Sequence, residues 1–149
     1  MVLKVLAMYA GPLKKSGVEV TRQFSRELPR VAASRAHLQR LFLNLISNAK
    51  DAMAQGGRLS IRTELAGATH RGFAQVRAIV QDTGPGLPKE VRAKLFKPFV
   101  TTKGSAGTGL GIFICGEITH QHHGTIVAED PPEGGARFVV TIPAAARKA

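Results

Sequence analysis

The chain has 149 residues, 44% of them apolar, with a formal net charge of +11, one cysteine and no tryptophan. That length holds one domain rather than two, and that apolar fraction excludes a chain disordered by composition. A single cysteine excludes an internal disulfide and suits a reducing compartment; the positive excess implies an anionic partner, and nucleic acid, a phosphorylated ligand, an acidic protein and a membrane surface all satisfy it.

The opening MVLKVLAMYAG resembles a signal peptide, but its apolar run is short and broken by Lys4, so it reads as the end of a helix belonging to something upstream. No apolar run is long enough to span a bilayer. GPLKKSG is a turn-rich link. VEVTRQFS sets Val18, Val20, Arg22 and Phe24 on one side, a strand pattern, and LPRVAA reads as a short partner strand. Ser34 is a good N-cap for the clearest helix, residues 35–53. There Leu38, Leu41, Phe42, Leu45, Ala49 and Ala52 make one stripe. AQGG stops it. RLSIRTEL alternates as a strand with Leu59, Ile61, Thr63 and Leu65 on one side; FAQVRAIVQD is another, and the two form a hairpin-like pair turned through THRG. PKEVRAKLFKP is a short helix with Pro88 near its first turn, ended before Pro98. A glycine- and threonine-rich loop, FVTTKGSAGTG, leads into a helix from about Leu110 to His120. GTIVAED and ARFVVTIP follow as strands separated by PPEGG. Without strict β-α alternation, the order predicts an α+β fold, a two-layer sandwich with a mostly antiparallel mixed sheet and helices packed on one face.

Four stretches carry chemistry. On the long helix, Asn44, Asn48 and Asp51 fall within an arc of about 60° bordering the apolar stripe. A carboxamide oxygen there is a good magnesium ligand, although two asparagines on a surface face would look the same. In QDTGPGLP, an aspartate ends a strand and two glycines flank a proline. The glycines let backbone approach a ligand, and the carboxylate can accept from an exocyclic amine such as that of adenine; an ordinary turn shares the pattern. In KLFKPFVTTKGSAGTGLG, aromatics bracket a proline ahead of Thr101, Thr102 and Lys103, a cation placed to meet phosphate if the loop is not merely a surface loop. Last, Gly107, Gly109 and Gly111 precede a helix N-terminus, which favours an anion. A Walker A loop fails here because Leu110 stands where lysine is needed, and a Rossmann fingerprint fails because no strand immediately precedes.

Taken in order, NLISNAKDAM, DTGPGL, KLFKPF and GTGLG resemble the N, G1, F and G2 boxes of the ATP-binding catalytic domain of two-component sensor histidine kinases. These belong with the gyrase, Hsp90 and MutL ATPases. The resemblance runs from about Val18 to Pro143. It implies an ATP- and magnesium-dependent protein-histidine kinase domain at 13–149, with residues 1–12 the remnant of an upstream dimerisation helix or linker. By position it implies Asn48 on magnesium, Asp82 on the adenine amino group, Gly84 and Gly86 beneath the base, and Thr141 near the adenine. It also implies a lid over the triphosphate formed by Thr102, Lys103 and the segment Gly107, Thr108, Gly109, Leu110 and Gly111. Asn44 stands where gyrase-like relatives carry a water-activating glutamate; an amide cannot act as a base, which suits a kinase that spares ATP from water. Asn44 and Lys103 are thus the catalytic candidates, and Asn44 also a nucleotide contact. Lys50 points away from the Asn44–Asn48 arc by helical position and is set aside.

No histidine is followed by an acidic residue, so the phosphoacceptor helix is expected elsewhere. The partners implied are the histidine-containing dimerisation domain of the same kinase and a response-regulator receiver domain, in the cytoplasm, without nucleic acid or membrane contact by this domain. The alternative is a nucleotide-binding regulatory module without kinase activity. HQHHG is a candidate metal cluster, though imidazoles also suit a helix C-terminus.

Overall fold

The computed structural model describes residues 2–26, 28–31, 33–67, 74–93, 96 and 111–145. Helix α1 spans Val2–Lys15, strand β1 Val18–Phe24, helix α2 Arg35–Ala52, strands β2 Gly57–Ala66 and β3 Gln75–Gln81. The short helix α3 (Lys89–Ala93), helix α4 (Gly111–Gln121) and strands β4 (Thr125–Glu129) and β5 (Arg137–Pro143) follow.

The five strands lie in the order β1-β2-β3-β5-β4. β1 runs parallel to β2, because α2 crosses between them; every other pairing is antiparallel. The sheet is therefore mixed, as the sequence predicts, and β2 and β3 pair in the expected antiparallel sense. Leu59, Ile61, Ala78, Val80, Phe138, Val140 and Ile142 alternate onto one face and share a core with Leu41, Phe42, Leu45 and Ile46 of α2 and Ile112, Cys115 and Ile118 of α4. Among the described residues no helix is long and apolar enough to cross a membrane.

Local chemistry explains the boundaries. Ser34 caps α2, its Oγ accepting from the His37 N–H at 3.3 Å. The end of α4 is tied to that cap. His122 accepts at Nε2 from the Ser34 N–H (3.3 Å), and its Nδ1 lies 2.7 Å from the Ile118 carbonyl, which requires the Nδ1–H tautomer. Among the described residues no three metal-ligating side chains gather, and His122 serves this helix junction.

Four local expectations are corrected. GPLKKSG is not a turn-rich link: α1 continues through Pro12 to Lys15, because Leu13, 1% exposed, is held in the core. The turn comes at Ser16 and Gly17, whose N–H groups bond the Pro12 and Lys14 carbonyls, with Gly17 at φ +75°. LPRVAA forms no partner strand; a single bridge joins Val31 to Ala144, since Pro29 offers no N–H to a ladder and β1 already has β2. On α2, Ile46 rather than Ala52 completes the buried stripe, and Ala52 is exposed. Leu65 is 56% exposed because β1 ends at Phe24, opposite Thr63, leaving no neighbour beside it on that side.

Candidate functional site

A cleft of about 940 Å³ opens between the second half of α2 and the loop that follows β3. Asn48, Lys50 and Asp51 line it from α2, and Asp82, Gly86 and Leu87 from the loop. Ser16, at the end of α1, and Ala136, ahead of β5, close its flanks.

Asp82 is held from two sides. Register pairs Gln81 with Arg137 in an antiparallel sense, so the residue after Gln81 meets the residue before Arg137: Asp82 N–H donates to the Ala136 carbonyl at 2.9 Å. The Ala136 N–H in turn donates to Asp82 Oδ1 at 3.2 Å, and the Gly84 N–H donates to the same oxygen at 2.9 Å. Oδ2 keeps its acceptor capacity for a ligand. The residue is only 3% exposed, and burial raises its pKa above the ordinary 3.8, with the two backbone donors pulling the other way. A carboxylate buried without a cationic partner among the described ion pairs is costly as a purely structural device, which makes it a candidate for binding a ligand.

The glycines set how closely the backbone can close around that carboxylate. A Cβ at Gly84 would stand 2.8 Å from the Ala52 carbonyl, so the loop lies directly on the end of α2. Gly86 adopts φ +81° against the Gly135 carbonyl, and Gly135, at φ +84°, sits where any Cβ would run into the Asp82 carbonyl.

Asn44 lies one turn up α2 from Asn48 and outside the cleft lining. Its Nδ2 is buried with no hydrogen-bond partner among the described residues, and its Oδ1 is 3.7 Å from where a Cβ on Gly111 would stand, beside the first turn of α4. Beneath it, burial pushes the Cys115 thiol up to about 12, with the Asn44 amide approaching the sulfur as a donor and then the Arg40 charge pulling the other way; that approach falls short of a hydrogen bond by geometry. An unpaired buried donor costs about 1–3 kcal/mol, and it is the Oδ1 side of the amide, not Nδ2, that lies against the first turn of α4. Phe96 packs on Gly116 of α4, 3.5 Å from its would-be Cβ, and so ties the segment after α3 to that helix.

The cleft thus gathers Asn48, Asp82 and Gly86, with Gly84 behind Asp82 and with Asn44 and Gly111 adjoining one another above. Thr141 is not brought here. β5 buries Phe138, Val140 and Ile142, so Thr141 lies on the other face, paired with Arg77, about 16 Å along the strand from Ala136. Thr102, Lys103, Gly107, Thr108, Gly109 and Leu110 lie outside the described residues. Lys50, which helical position sets aside, does line the cleft: its four-carbon stem reaches around the helix, and its Nζ lies 3.6 Å from Asp51 Oδ1. Ala136 and Gly135 went unmarked in sequence; the GG ahead of β5 was the available signal. The donors also fit a magnesium ion. Asn48 offers an amide oxygen and Asp51 a carboxylate on one wall of the cleft, hard oxygen donors of the type that ion takes alongside phosphate oxygens.

A model of the family described as histidine kinase-, DNA gyrase B- and HSP90-like ATPases matches residues 33–146. The chain is 36% identical over 132 residues to the sensor histidine kinase TmoS of Ectopseudomonas mendocina, covering 89% of this chain and 14% of that protein. It superposes on the nucleotide-free catalytic domain of the histidine kinase ThkA with a TM-score of 0.82 at 31% identity, covering 95% of this chain and 90% of that one. ThkA has also been solved in complex with the response regulator protein TrrA; there the TM-score is 0.77 at 28% identity, over 97% of this chain and 39% of that one. Full-length ShkA in complex with AMPPNP gives 0.76 at 28% identity, over 99% of this chain and 30% of that one. The chain therefore spans a small part of the full-length kinases it matches.

Proposed function

Because this chain belongs to the histidine kinase-, DNA gyrase B- and HSP90-like ATPase family, we propose that it is the ATP- and magnesium-binding catalytic domain of a sensor histidine kinase, passing the γ-phosphoryl group to a histidine on a separate dimerisation domain. The observation that carries this reading is the single cleft shared by Asn48, Asp82 and Gly86.

Asp82 accepts from the adenine amino group, with Gly86 allowing the ring to lie against backbone and Gly84 seating the loop on α2 behind the carboxylate. Asn48 holds magnesium, with Asp51 on the same wall; the bound ion supplies charge neutralisation to the phosphates. Asn44, whose amide flanks the first turn of α4, contacts the phosphates and, as an amide, removes no proton from water. Lys103, with Thr102, Gly107, Thr108, Gly109, Leu110 and Gly111, closes over the triphosphate, as the resemblance implies. In the transfer, the bond from the γ-phosphorus to the bridging oxygen breaks and ADP leaves. A bond from phosphorus to an imidazole nitrogen forms, and the imidazole gives up its proton to solvent. The attacking nitrogen is already nucleophilic, so positioning and charge carry the catalysis. Residues 1–12 are the tail of the dimerisation helix, the phosphohistidine is read by a response-regulator receiver domain, and the reaction belongs in the cytoplasm.

The test is to titrate Mg-ATP into this chain, then add a dimerisation domain in trans with γ-labelled ATP. ATP binding and label on the dimerisation domain are expected. Binding without transfer would leave a nucleotide-binding regulatory module, and no binding would overturn the reading altogether.

A further inference from the structure

A second concavity lies away from the nucleotide cleft, between α1 and the edge strand β1. It encloses about 330 Å³. Its floor is aliphatic: Ala7 and Ala10 of α1 and Val20 of β1 present the accessible surface, over Leu6, Leu13 and Val18 buried beneath, and its rim carries Lys14 and Arg22. β1 pairs only with β2, so the backbone of its other edge has no strand partner among the described residues. A free edge of this kind is a template for an added strand. The charges are one-sided. Glu19, the acid of β1, lies 3.6 Å from Arg58 on the other face of the sheet, whereas Lys14 and Arg22 form no ion pair among the described residues.

We propose that the α1–β1 groove docks an extended acidic segment of another protein, laid along the β1 edge with alternate aliphatic side chains on the groove floor and carboxylates on Lys14 and Arg22. Backbone pairing would supply affinity, and the period-2 alternation would supply specificity. The floor decides against nucleic acid. A phosphate backbone has nothing to bury on Ala7, Ala10 and Val20, and among the described residues no aromatic side chain lines the groove for a base to stack on. The site also spans the weak point of α1. Pro12 cannot donate to the Met8 carbonyl, and the groove is lined from both sides of it, by Leu6 and Ala10 before and Leu13 and Lys14 after. An occupant would brace α1 against the sheet. This inference does not depend on the nucleotide reading.

The test is an amide chemical-shift titration of this chain with a short peptide alternating glutamate with valine and leucine. Shifts confined to residues 6–24 are expected. Lys14→Glu combined with Arg22→Glu should weaken binding at least about tenfold. Ala10→Glu, at an exposed helix position inside the groove, should do the same without touching the core, and all variants should retain Mg-ATP affinity. The proposal is overturned if the peptide does not bind, or if its shifts map elsewhere. It is equally overturned if the variants bind unchanged, if a lysine-for-glutamate peptide binds as well, or if duplex DNA occupies the same residues more tightly.

Discussion

Asp82→Asn separates the adenine contact from the fold more cleanly than truncation does. Removing the carboxylate would strand the Gly84 and Ala136 N–H groups, at about 1–3 kcal/mol each, and confound binding with stability. Asparagine keeps one oxygen, and the two backbone donors that converge on Oδ1 fix which way the amide turns. The NH₂ group then replaces Oδ2 and meets the purine amino group donor to donor. A charge-assisted bond of about 1.5–3 kcal/mol is lost, and two apposed donors cost about 1–3 kcal/mol more. ATP affinity should fall by roughly two to four orders of magnitude, with the preference for adenine over guanine narrowed. Stability should behave oppositely. Burial raises the Asp82 pKa, so its contribution is complete below the ordinary carboxylate value and is lost as pH rises through the raised one. At neutral pH the variant should therefore be at least as stable as the wild type, the difference closing towards about pH 4. Calorimetric titration with Mg-ATP and denaturant unfolding on the same samples measure both. A stable variant that binds ATP within about threefold of the wild type would refute the assignment.

The same raised pKa makes wild-type ATP affinity decline on acidification while ordinary exposed carboxylates are still charged, because a protonated Asp82 cannot accept from adenine in the same way; binding measured across mildly acid pH, with Asp82→Asn as a flat control, checks this. Gly135→Ala should cost at least about 2 kcal/mol in chemical denaturation, since it combines a left-handed φ of +84° with a Cβ driven into the Asp82 carbonyl. Asn44→Leu removes a buried donor that has no partner among the described residues, so the ligand-free protein should melt no lower than the wild type while the stabilisation conferred by Mg-ATP shrinks; equal nucleotide stabilisation would show that the amide makes no phosphate contact. Cys115, 0% exposed with its thiol pushed up to about 12, should react with thiol reagents only as fast as the molecule unfolds, which labelling across a denaturant series reads directly.

What the sequence displayed plainly was everything governed by local chemistry. The period of α2, the Ser34 cap, the alternation of β2, β3 and β5 and the glycines after Asp82 are all short-range signals. What it concealed was decided at long range. VEVTRQF looks the same whether its neighbour is antiparallel LPRVAA or parallel β2; the choice rests on α2 folding back over the sheet and on the missing N–H of Pro29. Thr141 has the right chemistry for a purine site, but Phe138, Val140 and Ile142 claim the core face of β5, and strict alternation sends Thr141 to the other. Lys50 was misplaced for the opposite reason. A helical wheel locates Cβ atoms, and a lysine head travels some distance from its own.

The position of Asp82 follows from the same reasoning. DTGPG reads as a loop, yet its aspartate is fixed as firmly as a strand residue, because the β3–β5 register carries one step past Gln81 and Arg137 into reciprocal bonds between Asp82 and Ala136. Sliding β5 by one residue would present the opposite face of each pair and leave the carboxylate without its Ala136 donor. Asn48 and Asn44, by contrast, are set by the rotation of α2 alone, and α2 touches the loop where Gly84 lies on the Ala52 carbonyl. The distance between the purine end and the phosphate end of the cleft is therefore set in part by this contact, which only glycine permits, beside that of Thr83 Oγ1 on Met53 Sδ at 3.7 Å. A Gly84→Ala substitution should push those ends apart, weakening ATP more than adenosine; equal loss for both would mean that the contact merely supports the loop.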